Sequence, residues 1–80
     1  MTEVRSLIVR LEAIAESIDL DNFYSIGLSP NNNNQISLQG RFTDTTARFA
    51  REIGIKLEYQ EDNGMLKGES EDGKLRIVLT

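Results

Sequence analysis

Two dipeptides, Asn63-Gly64 and Asp72-Gly73, constrain this chain more tightly than any other feature. Each signals a type I′ hairpin turn, in which both central residues take positive φ, a conformation that glycine adopts freely and Asn or Asp at little cost. The segments they join alternate apolar and polar residues, so a three-stranded antiparallel meander is expected. With two-residue loops, Leu66 faces Glu61 and Leu79, Gly68 faces Tyr59 and Ile77, and Ser70 faces Leu57 and Leu75. One face then carries Ile55, Leu57, Tyr59, Leu66, Leu75, Ile77 and Leu79, and is the expected core. The other carries Lys56, Glu58, Gln60, Lys67, Glu69, Lys74, Arg76 and Val78, with Glu58, Glu69 and Arg76 in one row. Opposite charges paired in such a row stabilise by about 0.2–1 kcal/mol.

Upstream, Val4, Leu7, Ile8, Leu11, Ile14, Ala15 and Ile18 recur at spacings of three and four and predict a helix from about Glu3 to Ile18, capped by Thr2. Asp19 and Asp21 would oppose the negative end of its dipole, which places them beyond its end. Phe23 to Leu28 and Ile36 to Phe42 alternate as strands around Ser29, Pro30 and the run Asn31 to Asn34, whose residues favour turns. Pairing Leu28 with Ile36, Ile26 with Leu38 and Tyr24 with Gly40 keeps the apolar side chains on one face of a hairpin. Gly40 and Gly68 then both face tyrosines, whose rings cover the bare backbone. Thr43 or Asp44 caps a short second helix with a stripe of Thr46, Phe49, Ala50 and Ile53, and Gly54 ends it with Ile55 placed for a closing apolar contact. The expected fold is α+β in the order α-β-β-α-β-β-β, an antiparallel sheet with two helices packed on one face, residues 1 to 80 forming a single domain. Whether the first hairpin joins the meander edge to edge does not follow from the pattern.

Composition narrows function by exclusion. Eighty residues with 39% hydrophobic and 28% charged side chains suit one globular core. With no cysteine, no disulfide or thiolate zinc site supplements it, and with no histidine the commonest general base and metal ligand is missing. Charges at Arg5, Arg10, Glu12 and Glu16 interrupt the N-terminal apolar residues, which argues against a signal peptide or membrane span and for a cytoplasmic protein. A net charge of -4 disfavours direct nucleic-acid binding, because that affinity comes from cations displacing counterions. A monomer or small homo-oligomer is expected.

Few residues carry a chemical signal. The carboxylate pairs Asp19 with Asp21, Glu61 with Asp62 and Glu71 with Asp72 fall at turns, where nothing desolvates them. Asp19-Leu20-Asp21-Asn22 begins like a calcium loop but lacks its later glycine and glutamate. Ser25, Ser29, Ser37 and Thr43 have no base to activate them. The remaining candidate is a protein-binding patch of Phe23, Arg41, Arg48 and Arg51. Arg41, Arg48 and Arg51 form the basic cluster of an acidic chain, and Phe23 is expected to point outward opposite Arg41, where it could stack on the guanidinium. The ordinary alternative is a helix surface, with Arg48 paired to Glu52 four residues on.

The run Gln35-Ile36-Ser37-Leu38-Gln39-Gly40, followed by a short helix and a meander finishing Ile77-Val78-Leu79-Thr80, resembles small uncharacterised proteins encoded by tailed phages and other mobile elements, over residues 23 to 80. The resemblance implies an accessory role and carries over no catalytic residues. The leading expectation is therefore a non-enzymatic interaction protein with a protein partner and no cofactor, modulating or inhibiting a host protein. An acidic nucleic-acid mimic that blocks a DNA-binding enzyme comes second, and a carboxylate- and metal-dependent enzyme third. Because no ligand set of recognisable spacing is present, adding a chelator should leave thermal unfolding unchanged. A fall of several degrees would count against this reading.

Overall fold

The computed structural model describes residues 3–31 and 34–80. The expected cap Thr2, and Asn32 and Asn33 of the expected turn, lie outside them. The elements are α1 (Glu3–Ser17), a single 3-10 turn (Leu20–Asn22), β1 (Phe23–Ser29), β2 (Gln35–Gly40), α2 (Asp44–Glu52), β3 (Glu58–Gln60), β4 (Met65–Glu69) and β5 (Leu75–Leu79). The chain is α+β in the expected order of helices and strands. Its sheet, ordered β1-β2-β5-β4-β3, is mixed rather than antiparallel throughout, because β2 and β5 run parallel. That pairing answers how the hairpin meets the meander: Ile36, Leu38 and Gly40 lie beside Leu75, Ile77 and Leu79. A parallel join demands a long crossover, which α2, β3 and β4 supply.

Both helices share one apolar core with one face of the sheet. Leu7 and Ile18 from α1 and its end, Phe49 and Ala50 from α2, and Ile36, Leu38, Ile77 and Leu79 from the central strands form a single cluster. Five of these, Leu7, Ile36, Leu38, Ile77 and Leu79, are wholly buried. Burying each aliphatic side chain contributes about 1.5–3 kcal/mol. The helix ends close as their residues direct. Thr43 caps α2, its hydroxyl accepting from the Thr46 backbone at 3.2 Å while the Thr46 hydroxyl accepts from the Thr43 backbone at 2.9 Å. At the other end the Ile55 N–H donates to Ala50 O and the Gly54 N–H to Arg51 O, with Gly54 at φ 80 and Ile55 buried. This is the glycine-terminated helix end expected of residues 50 to 55. Ile53, expected in the buried stripe, is instead exposed just past the last turn.

Two expectations of register need correction. In the first hairpin Ile26 faces Leu38 and Leu28 faces Ile36 as expected, but an irregularity between Phe23 and Ser25 sets Phe23, not Tyr24, opposite Gly40. The extra residue reverses the alternation above it. Phe23 turns inward, packs edge-to-face on Phe49 with ring centroids 6.3 Å apart, and covers Gly40, where an added Cβ would stand 2.9 Å from its ring. Tyr24, which keeps a hydroxyl to hydrate, is 62% exposed.

The meander differs in its turns. Neither is type I′, since Gly64 and Gly73 have positive φ but Asn63 and Asp72 do not. Four residues, Glu61 to Gly64, connect β3 to β4, with the Gly64 N–H donating to Gln60 O at 2.8 Å and the Asn63 carboxamide oxygen accepting from the Met65 N–H at 3.0 Å. Tyr59 therefore faces Leu66 and Glu58 faces Lys67, a slip of two residues from the expected pairing that leaves every side chain on its expected face. The pairing of β4 with β5 is the expected one, Leu66 with Leu79 and Gly68 with Ile77. Tyr59, expected in the core, is 63% exposed because β3 is an outer strand at its edge.

Gly68 is covered by backbone rather than by Tyr59. A Cβ there would come within 2.5 Å of Lys56 O and 2.6 Å of Ile55 Cγ2, so residues 55 and 56 cross directly above it. Gly68→Val should therefore cost roughly 2–3 kcal/mol by overpacking. Gly27 is the control, because its added Cβ would meet only Ser37 Cβ at an ordinary 3.7 Å. Gly27→Ala should stay within about 0.5 kcal/mol of the parent. Urea unfolding of the two variants side by side measures both, and equal losses would remove the crossing of 55 and 56 as the cause.

Candidate interaction surface

Arg41, Arg48 and Arg51 are all exposed, Arg41 before α2 and the other two on the helix. Arg48 lines a cleft of about 380 Å³ with Ser17, Asp19, Asn22 and Glu52, where acidic groups and the carboxyl end of α1 lie near it. Phe23 does not join the arginines. It is only 7% exposed and belongs to the core, so the expected stack on Arg41 is absent and Phe23 is withdrawn as a surface anchor. The exposed aromatics are Tyr24, Phe42 and Tyr59.

The wet face of the sheet opens a shallow hollow lined by Lys56, Glu58, Gln60, Lys67, Glu69 and Arg76. Its charges alternate in sign, Glu58 facing Lys67 and Glu69 facing Arg76 across the strands. Val78, between Lys67 and Gln39 on that face, is 2% exposed, covered by its long-chained neighbours. No single-sign stripe imitates a phosphate backbone there.

The two edges of the sheet differ more sharply than its two faces. β3 is three residues long, carries Glu58, and is followed by Glu61 and Asp62. Short length and charge are the usual means by which a free edge is kept from pairing with another strand. β1, the opposite edge, spans seven residues, Phe23–Ser29, without a charge. From Asn22 to Gly40 the chain has no charged residue at all. The irregularity near Tyr24 interrupts only its first residues, leaving Ser25 to Ser29 in regular register with β2.

The expected apolar face of α1 proves wider than the sheet can cover. Leu7 and Ile18 are buried and Leu11 and Ile14 pack on the core, whereas Val4, Ile8 and Ala15 remain exposed. The direction they face follows from their neighbours. Arg10 donates to Asn34 O at 2.6 Å and to Lys74 O at 2.8 Å, and Ser17 lines the cleft shared with α2, so both point toward the middle of the molecule. Ile8 and Ala15 each precede one of these by two residues, about 200° round the helix. They and Val4, one turn before Ile8, therefore face the β1 side. Ile26, on β1 and on the helix-bearing face, is 37% exposed and stands outside the core cluster. An uncharged strand edge and an apolar helix flank thus lie side by side. The two signals that mark this surface in the sequence are the charge-free run and a helical stripe too broad for one contact.

The carboxylate pairs Asp19 with Asp21, Glu61 with Asp62 and Glu71 with Asp72 lie at turns. Among the described residues no three acidic groups converge as a metal-binding set, and no helix is long and apolar enough to cross a membrane. No family model, curated protein or solved structure matches the chain.

Two hydrogen bonds displace the protonation of Asp72. It accepts from Ser70 Oγ at 2.6 Å and from the Lys74 N–H at 2.9 Å, and these bonds, that from Ser70 foremost, hold it below its ordinary value of 3.8. A depressed carboxyl contributes stability above its unfolded value and loses that contribution as pH falls through the lower folded value. An NMR titration should therefore place the Asp72 midpoint below 3.8, and Ser70→Ala should raise it. A midpoint unmoved by Ser70→Ala would assign the displacement elsewhere.

Proposed function

We propose that this chain is a small non-enzymatic interaction protein that acts by binding protein along the β1 edge and the adjoining flank of α1. The carrying observation is the asymmetry of the sheet: the β3 edge is short and charged, while the β1 edge is long, charge-free and bordered by Val4, Ile8 and Ile26. An open edge offers unpaired backbone donors and acceptors to an incoming strand, and exposed apolar side chains beside it supply the area such pairing needs. The arginines at 41, 48 and 51 rank below it, having lost Phe23 as their aromatic partner. An accessory role in phages or mobile elements, modulating or inhibiting a host protein, suits a small binding fold and rests on the resemblance over residues 23 to 80. The nucleic-acid mimic is less well supported, because the wet face mixes signs.

Affinity capture with paired variants tests the reading. Ile26→Lys places a charge on the open edge without touching the core cluster, while Arg41→Ala and Arg48→Ala alter the basic surface. Proteins retained by the parent should be lost at least tenfold from Ile26→Lys, a change of about 1.4 kcal/mol, and kept by the arginine variants. Loss confined to the arginine variants would move the working surface to α2. Loss confined to substitutions of Glu58, Glu69 or Glu71 would favour the mimic.

A further inference from the structure

We propose that the occupant of the β1 edge is a second copy of this chain, pairing antiparallel with β1 about a two-fold axis near Gly27. The inference rests on the reading of β1 as the working edge and adds the identity of what covers it.

Closure is the first reason. Each molecule has one open edge and one edge blocked by shortness and charge. If β1 met the β3 of another copy, the contact would repeat without end, and the charged β3 opposes that. Two β1 strands meeting each other use up both open edges and leave a ten-stranded sheet, twice the five of one chain, with a charged β3 at each end. Only the isologous contact terminates.

Charge is the second. Molecules of net charge -4 repel, and most surfaces of this one would bring carboxylates together. The stretch from Asn22 to Gly40 is where two copies can meet without opposing like charges.

Side-chain pairing is the third. With the axis at Gly27, the regular stretch Ser25 to Ser29 sets Ile26 against Leu28 of the partner copy on the helix-bearing face. Gly27 then meets Gly27, and Ser25 meets Ser29, on the other face. Apolar groups face apolar groups, and hydroxyls face hydroxyls, as favourable cross-strand pairs require. The helix flank fits the same axis. α1 packs over β2, next to the edge, so the two copies of α1 would run antiparallel three strand spacings apart, roughly 14 Å. Helices in direct contact stand about 8–10 Å apart, so at this distance Val4, Ile8 and Ala15 of the two copies would face each other across a groove above the paired edges.

Sedimentation equilibrium of the purified full chain from micromolar to millimolar concentration tests the proposal. The parent should sediment at twice the mass of one chain. Ile26→Lys on the strand and Ile8→Lys on the helix, neither of which belongs to the core cluster, should each weaken association at least tenfold while retaining the parent's circular dichroism. Should Ile26→Lys fail to fold, Ile8→Lys still reports on the same axis. A parent at single-chain mass over the whole range would overturn the proposal, as would a dimer that both lysine variants leave intact. A monomeric parent that captures a different protein, lost on Ile26→Lys, would overturn the second copy as occupant while leaving the β1 edge as the binding surface.

Discussion

Ile36, Leu38, Ile77 and Leu79 are wholly buried where β2 lies parallel to β5, and both helices pack against that seam. The seam joins two pieces that could each be drawn as a separate antiparallel unit. A two-stranded hairpin by itself is marginal in water, and the meander has an uncovered apolar face. Joined, they present a five-stranded surface wide enough for α1 and α2 to bury their stripes together. The Schellman-type end of α2 matters for the same reason. It turns the chain sharply at Gly54, drops Ile55 into the core, and lays residues 55 and 56 over Gly68, so that the crossover from β2 can return to the far side of the sheet.

The distribution of charge follows from this layout. The central strands supply most of the wholly buried side chains and have neighbours on both sides, so their outer face tolerates alternating charge that also shields Val78. The two outer strands have one neighbour each, and there the protein has taken opposite courses. β3 is short and bordered by carboxylates, whereas β1 is long and neutral and lies beside the apolar flank of α1. A protein that only needed to remain soluble would gain from charging both edges. The unequal treatment is what gives the β1 side its standing as a surface for protein contact.

Polar contacts tie down the opposite end of the central strands. Arg10 reaches from α1 to the carbonyls of Asn34 and Lys74, and Gln35, nearly buried, donates to Gly73 O at 3.0 Å. These bonds hold the start of β2 against the β4–β5 turn, where Ser70 and Asp72 organise the backbone. Arg10 thereby fixes the rotation of α1 about its own axis, and that rotation is what turns Val4, Ile8 and Ala15 toward β1.

Local chemistry made much of this legible. Period-two and period-three-to-four patterns located both helices and all five strands, Gly54 and Ile55 announced the end of α2, and the pairing of β4 with β5 followed from spacing alone. Parity survived even where the register slipped, because the four-residue turn after Gln60 displaces Tyr59 by two positions and not by one. Other features depend on partners distant in sequence. Phe23 and Tyr24 are equally apolar by pattern, and only the ring of Phe49 together with the bare backbone of Gly40 decides which turns inward, with an extra residue in the strand as the means. No residue of β2 or β5 states that they will lie side by side, since parallel pairing is carried by backbone groups common to every residue. The sequence by itself therefore determined the elements, their faces and the neutrality of residues 22 to 40. Which strand became the open edge, and which flank of α1 stood beside it, was decided only by tertiary packing, because both depend on where the shared core forms and not on any local preference of the chain.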